Sequence, residues 1–219
     1  MVTRDLHVVE QLRPLPTLIE LLIDETGSMG TYLSSTIGGF NNFIDEQRAQ
    51  DGTLLVTLTK FASNRKTTPY VDLEVGMVPH LTNTTFLPQG GTNLYDAIVS
   101  RIADLSDRLT TWDVRPNILF VVMTDGEDNA SKTTALECRD AVLNASNSSE
   151  WTFVYLGAHE NALHIALDLG FVEGNIKPFW GHTMEQTMHD VSAATTAFRT
   201  TAISTQTFFA DAARTISCN

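Results

Sequence analysis

Apolar residues gather in short, nearly unbroken runs separated by stretches of helical period. Residues 17–23 (TLIELLI), 54–61 (LLVTLTKF) and 117–123 (NILFVVM) are rich in branched and aromatic side chains and alternate little. Such runs fit strands covered on both faces, as in a parallel sheet. Residues 151–156 (WTFVYL) and, more weakly, 176–180 (IKPFW) extend the series. Between these runs, Tyr32, Ile37, Phe40, Phe43 and Ile44 fall along one helical face ahead of a turn at Asp51-Gly52. Leu94, Ile98, Ile102 and Leu105 repeat that spacing, as do Leu136, Val142 and Leu143. A short helix over 163–169 stops at Gly170, and a last one spans 184–198. Residues 65–76 (RKTTPYVDLEVG) alternate and contain Pro69, which predicts a short antiparallel edge strand.

Strand and helix therefore alternate along most of the chain. That order predicts an α/β fold: a doubly wound, mostly parallel, Rossmann-like central sheet with right-handed crossovers and helices on both faces. One domain over 17–200 accounts for the pattern. Residues 1–16 form an N-terminal segment, and 201–219 either finish the last helix or form a tail. Sheets of this kind bind ligands in the crevice at the carboxyl ends of their strands, where strand order reverses.

Composition narrows the function. In 219 residues, 42% are hydrophobic and 18% charged, enough for a sizeable core. Acids outnumber bases 26 to 14, a net charge of -12, which argues against nucleic acid, whose phosphates demand Lys and Arg. No apolar run reaches the ~18 residues of a membrane span, and residues 1–16 lack the apolar core of a signal peptide. Two cysteines, Cys138 and Cys218, make no disulfide framework, and four Asn-x-Ser/Thr sequons would matter only after secretion. The expectation is a cytoplasmic protein, monomeric on its own.

The first strand runs into Asp24-Glu25-Thr26-Gly27-Ser28. Asp24, Thr26 and Ser28 stand at alternate positions, so a turn leaving the strand can bring an acid and two hydroxyls to one point. Oxygen donors of this kind suit a hard cation such as Mg²⁺, and Gly27 is expected to let the backbone bend there. Read alone, the same residues are equally a helix N-cap. Thr92, in Gly90-Gly91-Thr92-Asn93 just before the helix at Leu94, is by itself also read more readily as a cap. Residues 117–123 lead into Thr124-Asp125-Gly126-Glu127-Asp128-Asn129, an acid and glycine where a turn is common. Co-occurrence carries the weight, because all three oxygen-bearing loops belong to one edge of the sheet.

Together these residues resemble the metal-ion-dependent adhesion site of von Willebrand factor A domains, Asp-x-Ser-x-Ser followed by a distant Thr and a distant Asp. The match here is Asp24-x-Thr26-x-Ser28, Thr92 and Asp125, and the resemblance covers about residues 17 to 200. It implies that Ser28 and Thr26 ligate Mg²⁺ directly, with Mn²⁺ or Ca²⁺ as alternatives. Thr92 would ligate directly or through water, and Asp24 and Asp125 would lie at or just behind the coordination shell. It also implies a non-catalytic role: the open coordination position takes an Asp or Glu of a protein partner. Thr26 departs from the family's usual Ser and adds a methyl. No N-terminal cysteine is present to bridge Cys218, which points to an intracellular, bacterial or viral type.

The rival is a Mg²⁺-dependent phosphatase of the haloacid dehalogenase type, with Asp24 as nucleophile and Asp125 and Asp128 holding the metal. It needs a second carboxylate two residues after the nucleophile, where this chain has Thr26, and it leaves Thr92 unexplained. Nucleotide-binding glycine loops and a G-x-S-x-G elbow around Ser28 are absent from the sequence. A zinc site from His159 with His164, or His182 with His189, lacks i,i+4 spacing. The aromatics Phe153, Tyr155, Phe171, Phe179 and Trp180 read as core.

Overall fold

Eight consecutive buried residues, Thr17–Asp24, form β1, the inner strand on which the sheet is built. A computed structural model describes residues 15–63, 65–158, 161–180, 183–201 and 207–209. Leu54–Ala62 (β2) pairs in parallel with β1 on one side, and Asn117–Thr124 (β4) pairs in parallel on the other. Arg65–Glu74 (β3) closes one edge antiparallel to β2. Trp151–Ala158 (β5) and Ile176–Phe179 (β6) continue beyond β4 in parallel, giving the order β3-β2-β1-β4-β5-β6. Strand order thus reverses between β1 and β4, which places the crevice of a doubly wound sheet there.

Helices cover both faces. Leu33–Arg48 (α1) and Met184–Thr201 (α5) pack on one, over Ile19, Leu21 and Ile23 of β1. Leu94–Leu109 (α2), Ala135–Ser146 (α3) and Ala162–Asp168 (α4) pack on the other, over Leu18 and Leu22. The alternation of β1 side chains explains why both faces need apolar residues and why the run shows no polar stripe. Leu94, Ile98, Ile102 and Leu105 of α2 are all buried, as their spacing predicts.

Some expectations need correction. The edge strand is not short. At ten residues β3 is longer than any other strand, because two irregularities let it follow β2 past its awkward residues. One falls opposite Thr59 and absorbs Pro69, and the other absorbs Asp72, which takes a left-handed φ of 49° and exchanges hydrogen bonds with the Thr57 hydroxyl. On α3 the buried stripe is Cys138 and Val142, whereas Leu136 and Leu143 are 66% and 41% exposed. The start of α3 is set instead by a capping box between Thr134 and Glu137. Trp180 is half exposed because β6 stops at Phe179, the last residue paired with β5; the other four aromatics are core. Past α5, Phe208 is buried, stacks edge-on against Phe198 and donates its N–H to Asn175 Oδ1 at 2.8 Å, so this part of the tail belongs to the core. Residues 1–14, His159, His182 and Cys218 lie outside the described residues.

One polar group interrupts β1. Glu20 is fully buried and accepts from Arg101 Nε at 2.8 Å and Arg108 Nη2 at 3.1 Å, both on α2. Removing Arg101 leaves the buried Glu20 with Arg108 as its sole cationic partner among the described residues and Oε1 without its Nε donor. Arg101→Met should therefore destabilise the fold by about 3 kcal/mol in urea denaturation. Adding Glu20→Gln should recover part of that loss.

Candidate metal centre

β1 and β4 end side by side at the switch point, so Asp24 and the turn after Thr124 face one another across the crevice. Both Asp24 oxygens are engaged. Oδ1 accepts the Thr26 N–H at 2.7 Å and Oδ2 accepts the Thr124 hydroxyl at 2.6 Å. Thr26 Oγ1 lies 3.1 Å from Ser28 Oγ, and Ser28 Oγ donates to Asp125 Oδ1 at 2.8 Å. Thr92 Oγ1 stands 3.6 Å from where a Cβ on Gly126 would sit, which sets it against the same turn. The structure thus gathers Asp24, Thr26, Ser28, Thr92 and Asp125 at one point of the sheet edge. Asp24, Thr26, Thr92 and Asp125 are buried and form its floor, while Ser28 is exposed and opens it to solvent.

The capping alternative does not describe these hydroxyls. Thr26 precedes the 3-10 turn Gly27–Tyr32 without a side-chain capping bond, and α2 starts from Asn93 without one either. Thr92 Oγ1 makes no hydrogen bond to another described residue. Its backbone, by contrast, is fixed: its N–H donates to Asn129 Oδ1 at 2.8 Å, and its carbonyl accepts from Asn129 N and Ala130 N at 2.9 and 3.0 Å. The glycine that matters is not Gly27, where a Cβ would meet only ordinary contacts. Gly90 needs its left-handed φ of 81°, and a Cβ on Gly91 would sit 2.7 Å from Asn129 Oδ1.

Sequence reasoning missed Thr124 and Asn129, which hold Asp24 and Thr92 in place, because neither residue type announces such a role. It also gave Asp128 a part in metal binding under the rival reading. Asp128 instead accepts the Tyr95 N–H at 3.1 Å and the Ser131 N–H at 3.1 Å, as a staple within the loops.

Charge favours a cation here. Asp24 is a buried carboxylate with no Lys, Arg or His partner among the described residues. Burial pushes its pKa up to about 6, against the opposing hydrogen bonds from Thr124 and Thr26, and the nearby Asp125 adds to the rise. A buried carboxylate with no cationic partner among the described residues, set among hydroxyl oxygens, fits a divalent cation, which would supply positive charge beside Asp24.

No protein-family model matches the chain, and no curated protein does. Solved structures match well in fold. The von Willebrand factor type A protein from Catenulispora acidiphila aligns at TM-score 0.59 and 14% identity, over 84% of this chain and 43% of its own. Proximal thread matrix protein 1 from the mussel byssus, with a zinc-occupied MIDAS motif, aligns at 0.55 and 15%, over 82% and 46%. The manganese-loaded Plasmodium vivax TRAP protein aligns at 0.53 and 14%, over 80% and 72%. This chain has the von Willebrand factor A-type fold. It spans less than half the length of the first two structures.

The Asp24 shift has a sign. Between the ordinary value of 3.8 and about 6 the folded chain binds more protons than the unfolded one, so stability falls as pH rises through that window. The loss, at most about 3 kcal/mol, persists above it. Metal-free Asp24→Asn protein should therefore melt higher than wild type at pH 7 in EDTA. The gap should close by pH 4.

Proposed function

We propose that the chain is a metal-dependent, non-catalytic protein-binding module that captures a carboxylate of a partner through a divalent cation, Mg²⁺ in the cell. The observation that carries this reading is a buried Asp24 with no cationic partner among the described residues, set among the hydroxyls of Thr26, Ser28 and Thr92, of which Thr26 and Thr92 make no capping bond. Ser28, Thr26 and Thr92 would hold the ion by their hydroxyls, and Asp24 and Asp125 would supply charge at or behind them. When bound, the ion supplies an electrophilic position open toward solvent beside Ser28, suited to an Asp or Glu of a partner. Metal in the corresponding structures of the TRAP protein and the mussel matrix protein supports the choice of a divalent ion at this fold's edge.

The phosphatase reading draws no support from the site. Asp24 has both oxygens occupied and no exposed surface, and Thr26 offers no acid to a leaving group. A cytoplasmic location fits Cys138, a free thiol buried on α3 and pushed up to about 12 by burial and then by Asp128. Among the described residues no helix is long and apolar enough to cross a membrane.

Titration calorimetry should find near one equivalent of Mg²⁺ or Mn²⁺ per chain, and Asp24→Ala should abolish binding while the circular dichroism spectrum stays unchanged. Undiminished binding by Asp24→Ala would overturn the assignment. Protons compete with the metal for Asp24, so affinity should weaken about tenfold per pH unit below about 6. Partners retained from a lysate should be released by EDTA and absent with Asp24→Ala. Mg²⁺-dependent hydrolysis of phosphate esters, lost in Asp24→Asn, would instead favour the enzyme.

A further inference from the structure

Between Asp24 and Thr26 stands Glu25, a carboxylate for which the metal reading has no use. It is 1% exposed, a rare place for an acid unless it is fully paired. Its side chain is paired on every side. Oε1 accepts from Lys60 Nζ at 3.0 Å and from the Leu87 N–H at 2.7 Å, and Oε2 accepts from Arg65 Nη2 at 2.6 Å. Both cations then reach further. Lys60 Nζ also donates to the Thr85 carbonyl, and Arg65 Nη2 to the Leu87 carbonyl at 3.0 Å. The main chain adds two more links: the Glu25 carbonyl accepts the Gln89 N–H at 2.9 Å, and the Gly27 N–H donates to the Gly90 carbonyl at 3.0 Å.

Apart from the ion pairs themselves, these bonds end on residues 85–90, the segment that leads directly into Gly91 and Thr92. That segment has no regular secondary structure to hold it. The sheet does not require the clasp, since Lys60 and Arg65 are already placed by the pairing of β2 and β3. A buried ion pair contributes little to stability by itself, because desolvation offsets most of the attraction. It does fix geometry. With three donors on its two oxygens, two of them cationic, Glu25 is a weaker competitor for a cation than Asp24.

We propose that Glu25 is a positioning residue. Its carboxylate, with Lys60 and Arg65, clasps residues 85–90 against the turn after β1 and so sets where the Thr92 hydroxyl stands. This rests on the metal reading above. An unclasped segment would have to be ordered each time a cation bound, and that entropy would be subtracted from affinity. The clasp has ordered it in advance, so the donors on the Asp24 turn and the Thr92 loop meet the ion as one preformed set.

The test is a double-mutant cycle on Mn²⁺ affinity, read by calorimetry, with hydrogen exchange on residues 85–92 in EDTA. Glu25→Gln should weaken Mn²⁺ binding about 10-fold or more, as loss of an outer-shell partner does. Thr92→Ala should weaken it comparably, and the double variant should be no weaker than the worse single one, because Glu25 acts through Thr92. Exchange at 85–92 should quicken in Glu25→Gln and stay at wild-type rates in Thr92→Ala. Losses that simply add would mean that Glu25 acts by charge alone, and unchanged affinity with a lower melting temperature would make it a stabilising ion pair only. Either result overturns the proposal. If Glu25→Gln does not fold, Arg65→Gln, at the half-buried end of the clasp, carries the same cycle. A wild-type chain that binds no Mn²⁺ would sink the metal reading instead, and the exchange rates would still decide whether the clasp orders the segment.

Discussion

The parallel pairing of β1 with β2 on one side and β4 on the other is the constraint from which the rest follows. A strand flanked in that way is buried on both faces, so its polar residues can emerge only at its end. The first carboxylate after the apolar run, Asp24, therefore stands at the carboxyl edge. The in-register pairing with β4 sets it beside Thr124 and, one residue on, Asp125. No contact specific to a ligand is needed to bring these groups together. The sheet does so, and the loops inherit the juxtaposition.

What the loops add is immobility. Asn129 fixes the backbone of Thr92 from one side, Glu25 and Ser63 fix the residues before it from the other, and Asp128 and Asp96 stitch the start of α2 to the loop after β4. The last helix is equally tied. It lies close to α1, where Gly39 leaves room for Met188. Gln47 of α1 donates to the Ser192 carbonyl and to the Ser192 and Thr196 hydroxyls. Arg199 donates back to Gln47 and to the carbonyls of Asp51 and Gly52. A helix held by so many buried polar bonds slides only by breaking several at once, each costing about 1–3 kcal/mol if left unmatched.

The sequence made the sheet legible because buried parallel strands leave a signal that needs no context: apolar runs of strand length, spaced by helical periods. That Asp24, Thr26, Ser28, Thr92 and Asp125 would gather was legible through their order and spacing, even though each alone was ambiguous with a helix cap or a common turn. Exposure of Leu136, Leu143 and Trp180 was not legible, since periodicity reports that a helix has an apolar stripe but not whether a neighbouring element reaches it. The extent of β3 was legible within 65–76, but its two bulges at Pro69 and Asp72 were not, because only the pairing with β2 shows them. The supporting residues were hardest. Thr124, Asn129 and Glu25 act by hydrogen bonds to residues far away in the chain, and nothing local in the sequence marks them.

This division between donors and supports has a physical reason. A cation of high charge needs its oxygens at fixed separations but contributes its binding free energy only once, on arrival. Carboxylates and hydroxyls held apart by flexible loops would spend much of that energy on ordering. Here one carboxylate, Asp24, is buried with no cationic partner among the described residues, at a cost in stability, and another, Glu25, is paired beside it with two. Two adjacent acids, Asp24 at the end of β1 and Glu25 just past it, thus meet opposite surroundings. One faces the crevice and has no cationic partner among the described residues; the other meets Lys60 of β2 and Arg65 of β3. That difference in surroundings, at the end of a strand paired with β2 and β4, is what suits the strand end to the proposed cation.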